Sequence, residues 1–299
     1  MPRFGRVLTA MVTPFDADGR VDLDRAAALA EHLISNGSDG LVVTGTTGEA
    51  PTLSDQEKLQ LFRLDRDTVG ARATVIAGTG SNDTAASIEL TKRVDDMALD
   101  GVMLTGPYYN KPSQEGFYQH FRAIAEVTRL PVVLYNVPNR TAKNIEAATV
   151  LRLAAELDHV VALKEAGGDF EQITTICAGT PEGFEVYSGE DAVTLPMLAV
   201  GCVGVISVVA HLVGKQVQEM IVAFEAGDVR RAAQVHQQLA PICKACFLAS
   251  GNPACVKCGL ETIGVPVGGL RLPLVPASEA DAAVMRATCE RFGLVHARM

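Results

Sequence analysis

Short apolar segments recur along the chain at nearly regular intervals, separated by stretches in which apolar residues have helical spacing. Eight segments have the length of strands: Val7–Val12, Leu41–Thr44, Ala73–Ala77, Val102–Thr105, Val132–Val137, Val160–Lys164, Phe184–Tyr187 and Val203–Val208. They are apolar along their whole length rather than at alternate positions, which predicts burial on both faces, as in a parallel sheet. One of the stretches between them has the i, i+4, i+7, i+8 spacing of a helix, at Leu90, Val94, Met97 and Ala98.

Eight strand–helix units within about 225 residues have the number and size of a TIM barrel. Helix starts are marked as well, for example by Ser54 and Glu57, which match a capping box. A doubly wound open sheet would have fewer strands and a Gly-rich phosphate turn, and Gly78-Thr79-Gly80 is too short for one. We therefore predict an α/β fold, a (β/α)8 TIM barrel over residues 1–227.

The apolar spacing in the C-terminal part, residues 228–299, predicts a small helical extension. The barrel's own eighth helix comes before it and ends near Gly227. The first helix of the extension has an apolar stripe through Val235, Leu239, Ile242 and Cys246. A further helix begins at Asn252-Pro253, and Ser278 caps the last one.

Composition narrows the function classes. The chain has 299 residues, 48% of them hydrophobic, with a net charge of −9. No apolar run approaches the roughly 18 residues of a membrane span, and the acidic balance argues against a nucleic-acid or anionic-membrane surface. Seven cysteines without a disulfide-type spacing are not those of a secreted scaffold. We expect a cytoplasmic protein with neither nucleic acid nor membrane as partner.

Candidate chemistry gathers where the predicted strands end, the face on which barrel enzymes carry their active sites. The residues at these ends are Thr46, Thr47, Tyr108, Tyr109, Tyr135, Arg140, Lys164, Ser188 and Gly189. They include no carboxylate pair and no His/Asp metal cluster. A lysine that closes an apolar strand is desolvated, which lowers its pKa and leaves an amine able to attack a carbonyl. We predict an imine on Lys164, proton relay by hydroxyls, and a substrate carboxylate on Arg140.

Each residue also has a plain structural explanation. Lys164 could be a solvated strand end, the threonines ordinary turn residues, the tyrosines packing aromatics and Arg140 a surface cation. If none of these residues had a function, all of these explanations would have to hold at once, at several strand ends on the same face of the barrel. A barrel that binds a keto acid without turnover is the alternative from another functional class.

Six motifs carry a family resemblance over nearly the whole chain. They are GTTGE at 45–49, YYNKPSQEG at 108–116, YNVPNRT at 135–141, LKEA at 163–166, YSGED at 187–191 and GVISVVA at 204–210. In type, order and spacing they resemble the pyruvate-dependent class I aldolases, the family that includes the N-acetylneuraminate lyases. The resemblance implies a lyase without metal or organic cofactor.

The resemblance also implies roles for individual residues. Lys164 would form the Schiff base with pyruvate, with Tyr135 beside it as proton donor and acceptor. Thr47 would link Tyr135 to Tyr109 in a hydroxyl relay, and Tyr109 would reach in from a neighbouring subunit of a homo-oligomer, expected to be a tetramer. Thr46 and Thr47 would hold the pyruvate carboxylate.

The second substrate is implied by the same motifs. Arg140 would hold the carboxylate of L-aspartate 4-semialdehyde, and the backbone of Gly189 and Ile206 would shape the pocket. Sialic-acid lyases usually carry Ser at Thr46 and lack the matching arginine, so the synthase branch of lysine and diaminopimelate biosynthesis is favoured. Aldolases of keto-sugar acids are the runner-up. His211 replaces a common Asn, and we expect a histidine satisfied by a backbone carbonyl rather than a specificity residue.

Feedback by lysine is expected to be weak or absent. Lysine-inhibited members usually have His at the position of Lys58 and Glu at that of Ala86. Here a cation replaces a neutral ring, and the acid that would pair with the lysine amine is missing. Asn82 and Tyr108 still fit such a site.

Two CxxC pairs, 243–246 and 255–258, raise the alternative of a zinc site. Their separation of eight residues is shorter than the usual spacing of roughly 15–20 residues. Cys246 also continues an apolar helical stripe, where a free cysteine acts as a small core residue. We therefore expect core cysteines and no metal.

Overall fold

The computed structural model describes residues 1–295 and forms a closed barrel of eight parallel strands in sequence order. The strands are β1 Val7–Ala10, β2 Gly40–Val43, β3 Thr74–Gly78, β4 Gly101–Thr105, β5 Val132–Asn136, β6 Val160–Glu165, β7 Glu185–Ser188 and β8 Gly204–Ser207. The barrel closes where β1 pairs with β8 in register Leu8 to Ile206. The predicted TIM barrel is confirmed, and each predicted strand is present with ends shifted by no more than two residues.

Helices follow the strands and cover the barrel. They are α1 Leu23–Ser35, α2 Asp55–Val69, α3 Thr84–Val94, α4 Gln114–Ala125, α5 Pro138–Thr141, α6 Ala147–Glu156, α7 Phe170–Gly179, α8 Thr194–Ala199, α9 Ala210–Glu225, α10 Val229–Ala245, α11 Ala254–Thr262 and α12 Glu279–Arg291. Among the helices of residues 1–295, none has the length and apolarity needed to span a bilayer.

Local signals in the sequence account for most helix boundaries. The capping box is confirmed: the Ser54 N–H donates to the Glu57 carboxylate at 2.8 Å, and the Glu57 N–H donates to the Ser54 hydroxyl. The helical spacing that continues to Ala98 is misleading, because α3 ends at Val94 and Ala98 has a φ of 53°. The Asp95 carboxylate instead accepts hydrogen bonds from Thr128 and Arg129, which anchors the chain outside the helix.

Apolar side chains form two layers. The interior of the barrel is filled from the strands by residues such as Leu8, Ile76, Val133 and Ile206. A larger layer packs the outer faces of the strands against the helices. Because the interior is filled, space for a ligand is expected at the C-terminal ends of the strands.

The extension after α9 packs back onto the barrel. Helix α10 lies against α9 and α12, and the segment joining α10 to α11 reaches the barrel mouth. The four residues 296–299 of the predicted extension lie outside the described residues. Cys246, Cys255 and Cys289 are fully buried in the core, and every described cysteine is a free thiol. Within residues 1–295, no three His, Cys, Asp or Glu side chains are grouped as a metal site would require.

Candidate active site

A cavity of about 310 Å³ opens at the C-terminal ends of the strands. Its lining includes six residues predicted from the sequence: Thr46, Thr47, Tyr135, Arg140, Lys164 and Gly189. It also includes Glu190, Phe247 and Asn252, which were not among the residues predicted to lie there. The first of these follows β7, and the other two come from the extension.

Lys164 lies near the end of β6, paired in register with Tyr135 of β5 and Tyr187 of β7. It is 4% exposed, and its Nζ lies 4.4 Å from the centroid of the Tyr135 ring. Burial lowers the pKa of Lys164 to about 8; Asp191 and Glu190 oppose the shift, and Arg140 adds to it. The lysine therefore supplies neutral amine near physiological pH, as a carbonyl nucleophile must.

The Tyr135 phenol can act as the proton donor beside the Lys164 amine. Burial raises the pKa of Tyr135 to about 12, while Arg140 and a hydrogen bond with Thr46 partly oppose the rise. The phenol thus keeps its proton at neutral pH. Next to an amine, such a group can hand a proton to a departing hydroxyl and take it back.

Two carboxylates lie in the field of Lys164, contrary to the expectation of none at this face. Asp191 is buried, accepts hydrogen bonds from the Ser207 hydroxyl at 2.5 Å and the Val208 N–H at 2.8 Å, and has a pKa raised by burial. Glu190 is half-buried at the cavity wall, with a pKa raised by burial and by Asp191. The YSGED motif contains both acids, but it does not show that the turn after β7 directs them towards β6.

The two threonines of the turn after β2 have different partners. Thr46 shares a hydrogen bond with the Tyr135 phenol. The Thr47 hydroxyl instead accepts from Nδ2 of Asn252 at 2.8 Å. Consecutive residues of this turn thus act on different neighbours: Thr46 on the Tyr135 phenol and Thr47 on Asn252.

Tyr109 and Ile206 lie outside this cavity. The Tyr109 side chain is 90% exposed, and its backbone has a φ of 75°. Ile206 is 1% exposed and packs in the barrel interior; from the end of β8, Val208 lines the cavity instead.

Arg140 and Gly189 are positioned by short-range features. Arg140 lies on the short helix α5 directly after β5, where the Pro138-started turn directs it to the cavity. The Gly189 N–H donates to the Glu165 carbonyl at 2.7 Å. A Cβ at Gly189 would lie 2.8 Å from that of Ala166, so only glycine allows this close approach.

A second cavity of about 310 Å³ shares Thr46 and Arg140 with the first. Lys58 and Tyr108 line it, and the Lys58 ammonium lies 3.5 Å from the Asp55 carboxylate. A cation thus lies at the wall of this neighbouring cavity.

His211 is satisfied by the backbone, as expected. Its Nδ1 lies 2.8 Å from the Val208 carbonyl, and its Nε2 accepts from the Val12 N–H at 3.1 Å. Burial lowers its pKa to about 4. The neutral ring joins the ends of β1 and β8 and does not line the active-site cavity.

Comparisons with known proteins agree with this geometry. The model of the dihydrodipicolinate synthetase family matches residues 3–291. A 4-hydroxy-tetrahydrodipicolinate synthase from Moorella thermoacetica is 55% identical over 293 residues, 98% of this chain and 100% of the relative.

Solved structures give the same result. A dihydrodipicolinate synthase from Bacillus anthracis has a TM-score of 0.94 at 49% identity, covering 97% of this chain and 99% of that one. The enzyme from Cyanidioschyzon merolae, with lysine bound, has a TM-score of 0.97 at 43% identity, covering 99% and 100%.

Proposed function

Because the chain belongs to the dihydrodipicolinate synthetase family, we propose that it condenses pyruvate with L-aspartate 4-semialdehyde to give 4-hydroxy-tetrahydrodipicolinate. This reaction is a step of lysine and diaminopimelate biosynthesis. The observation that carries the proposal is Lys164, buried, with its pKa lowered to about 8, beside a protonated phenol in the cavity.

The chemistry follows from the charges around the lysine. The neutral Lys164 amine attacks the keto carbon of pyruvate, and Tyr135 supplies the proton with which the carbinolamine loses water. The imine tautomerises to an enamine, whose carbon attacks the aldehyde. The substrate's amino group then closes the ring and displaces Lys164. No step needs a metal or an organic cofactor.

The substrate carboxylates require donors and cations. We assign the pyruvate carboxylate to the turn that carries Thr46 and Thr47, and that of the aldehyde substrate to Arg140. The Arg140 guanidinium presents several donors in a fixed plane and binds carboxylates in two-pronged fashion. Gly189 leaves room for the chain of the substrate.

The proton relay continues beyond Tyr135. We assign its next member to Thr46, whose hydroxyl shares a hydrogen bond with the phenol. Tyr109 is proposed to complete the relay in a neighbouring subunit, since its ring is 90% exposed in its own chain. The assembly would be a homotetramer. Free thiols throughout the described chain favour a cytoplasmic location.

The proposal is tested by reductive trapping. Borohydride added with pyruvate is expected to leave a pyruvate-derived mass on the Lys164 peptide, and the purified enzyme should consume aspartate semialdehyde. An adduct without that turnover would favour a keto-sugar acid as substrate. No adduct on folded protein would favour a binding barrel without catalysis.

The lowered pKa of Lys164 predicts the pH dependence. The neutral amine is the reactive form, so kcat/KM for pyruvate should rise with pH and level off above pH 8. At pH 7 roughly 10% of this amine would be neutral, against roughly 0.03% for an ordinary lysine. Glu190→Gln should move the midpoint lower, because the Glu190 carboxylate now raises the pKa of Lys164. A rate still climbing at pH 10 would contradict the assignment.

Free lysine is expected to inhibit weakly. The Lys58 ammonium lines the cavity beside the active site and would repel the ammonium groups of the amino acid. Activity should stay above half at millimolar lysine in a concentration series. The double variant Lys58→His/Ala86→Glu is the matched comparison and should gain sensitivity; strong inhibition of the unaltered chain at low lysine would refute the prediction.

A further inference from the structure

The C-terminal extension contributes directly to the cavity. Phe247 and Asn252, in the segment between α10 and α11, lie in its lining. Asn252 is also in hydrogen-bond contact with the turn after β2, 205 residues earlier in the chain. The extension is therefore part of the substrate site rather than a covering of the barrel.

The contact fixes the direction of one hydroxyl. Nδ2 of Asn252 donates to Oγ1 of Thr47 at 2.8 Å. A hydroxyl that accepts from an amide keeps its own proton available for another acceptor. Thr47 is 4% exposed and lines the cavity, and within residues 1–295 we find no acceptor for that proton. The proton is thus available for a ligand in the cavity.

The Asn252 side chain makes a single hydrogen bond within residues 1–295. Its Oδ1 is buried and has no hydrogen-bond partner in the described chain, so the bond to Thr47 is the one that its side chain makes. The Asn252 side chain thus joins the extension to the turn after β2 through this one hydrogen bond.

A buried ion pair holds the same two segments together. The Lys257 ammonium on α11 lies 2.7 Å from the Glu49 carboxylate, and the two side chains are 2% and 0% exposed. The ammonium also donates to the Gly269 carbonyl at 2.6 Å. The turn is therefore fastened to the extension at Glu49 as well as at Thr47, which limits the movement of Asn252 relative to its partner.

We propose that Asn252 is a positioning residue for pyruvate: it sets the Thr47 hydroxyl as a donor towards the carboxylate of the keto acid. This rests on the proposed function, in which the turn after β2 binds that carboxylate. The amide donates to Oγ1, and Oγ1 donates to the substrate. Asn252 acts through Thr47 and takes no part in the bonds that form or break.

Reversing the polarity of the amide is the direct test. In Asn252→Asp a carboxylate accepts from Thr47 instead of donating, which turns the hydroxyl proton away from pyruvate and adds a repelling charge. The KM for pyruvate should rise roughly 10- to 100-fold, the range for losing a hydrogen bond to a charged group. Because this interaction binds substrate and transition state alike, kcat should change far less. The KM for aspartate semialdehyde should stay within about 3-fold.

A thermodynamic cycle shows whether the effect passes through Thr47. Asn252→Ala should raise the pyruvate KM less than Asn252→Asp does, since the hydroxyl can still rotate towards the substrate. In a Thr47→Val background, Asn252→Ala should add no more than about 2-fold, because coupled residues are not additive. This cycle also decides the question if Asn252→Asp does not fold. Gln237→Glu, on the exposed face of α10, is the matched control for an added charge in the extension.

The outcomes separate this inference from the proposed function. If the unaltered protein gives no pyruvate adduct on borohydride reduction, the proposed function fails. If it gives the adduct while Asn252→Asp keeps the original pyruvate KM, the positioning role fails alone. Additive losses in the cycle, or equal losses for both substrates with a lowered Tm, would mean that Asn252 only stabilises the fold.

Discussion

Lys164→Ala should abolish the pyruvate adduct and reduce the condensation rate by roughly 10⁴-fold or more, the scale seen when a covalent nucleophile is removed. The Lys164 nitrogen is the atom that bonds to the keto carbon, and among the described residues lining the cavity no other side chain carries a primary amine. Intact-mass measurement after borohydride reduction and a steady-state assay would both report the loss.

The control for this variant is Lys143→Ala, which removes an exposed lysine. It should keep both the adduct and the rate. The Lys164 variant should also remain folded, because the buried Asp191 carboxylate keeps its hydrogen bonds from Ser207 and from the Val208 N–H. An adduct that persists in Lys164→Ala would place the nucleophile elsewhere and overturn the mechanism.

Tyr135→Phe is expected to lower kcat by roughly 10²- to 10⁴-fold, the usual contribution of general acid–base catalysis. The phenol lies against Lys164 and holds its proton, since its pKa is raised to about 12. Loss of the hydroxyl should slow both imine formation and the later release of Lys164. Trapping at early times should show slow but eventually complete formation of the adduct.

Tyr118→Phe provides the comparison for losing a buried phenol. Tyr118 lies on α4, away from the cavity, and its hydroxyl donates to the Glu156 carboxylate at 2.5 Å. This variant should lose some stability, visible as a lower Tm, while its kcat stays unchanged. If Tyr135→Phe were equally active, the proton relay would have to run through another group.

The architecture was predictable because it depends on local patterns. Apolar strands and helical spacing can each be recognised from consecutive residues. The order in which these segments alternate then predicts eight strands that pair in parallel. The position of Lys164 at the end of an apolar strand is equally local. The end of α3 was missed because the Asp95 side chain satisfies backbone and side-chain groups of a segment 33 and 34 residues away.

The residues of the site were predictable only in part, for the same reason. The motifs predicted which residue types meet at the barrel mouth, and six of the predicted residues line the cavity there. They did not predict that Glu190 and Asp191 act on the charge of Lys164, because the direction of a side chain after a strand depends on what packs against the turn. The hydrogen bond from Asn252 to Thr47 was not predicted for the same reason.

The sequence by itself therefore determined the barrel, the order of its strands and the lysine with its neighbouring phenol, since these follow from periodicity and from strand ends meeting on one face. Only the tertiary structure decided which hydroxyl faces Tyr135, which acids surround Lys164 and that Asn252 donates to Thr47. Contacts of this kind join segments up to 205 residues apart. Their geometry depends on packing between those segments, which no local pattern encodes.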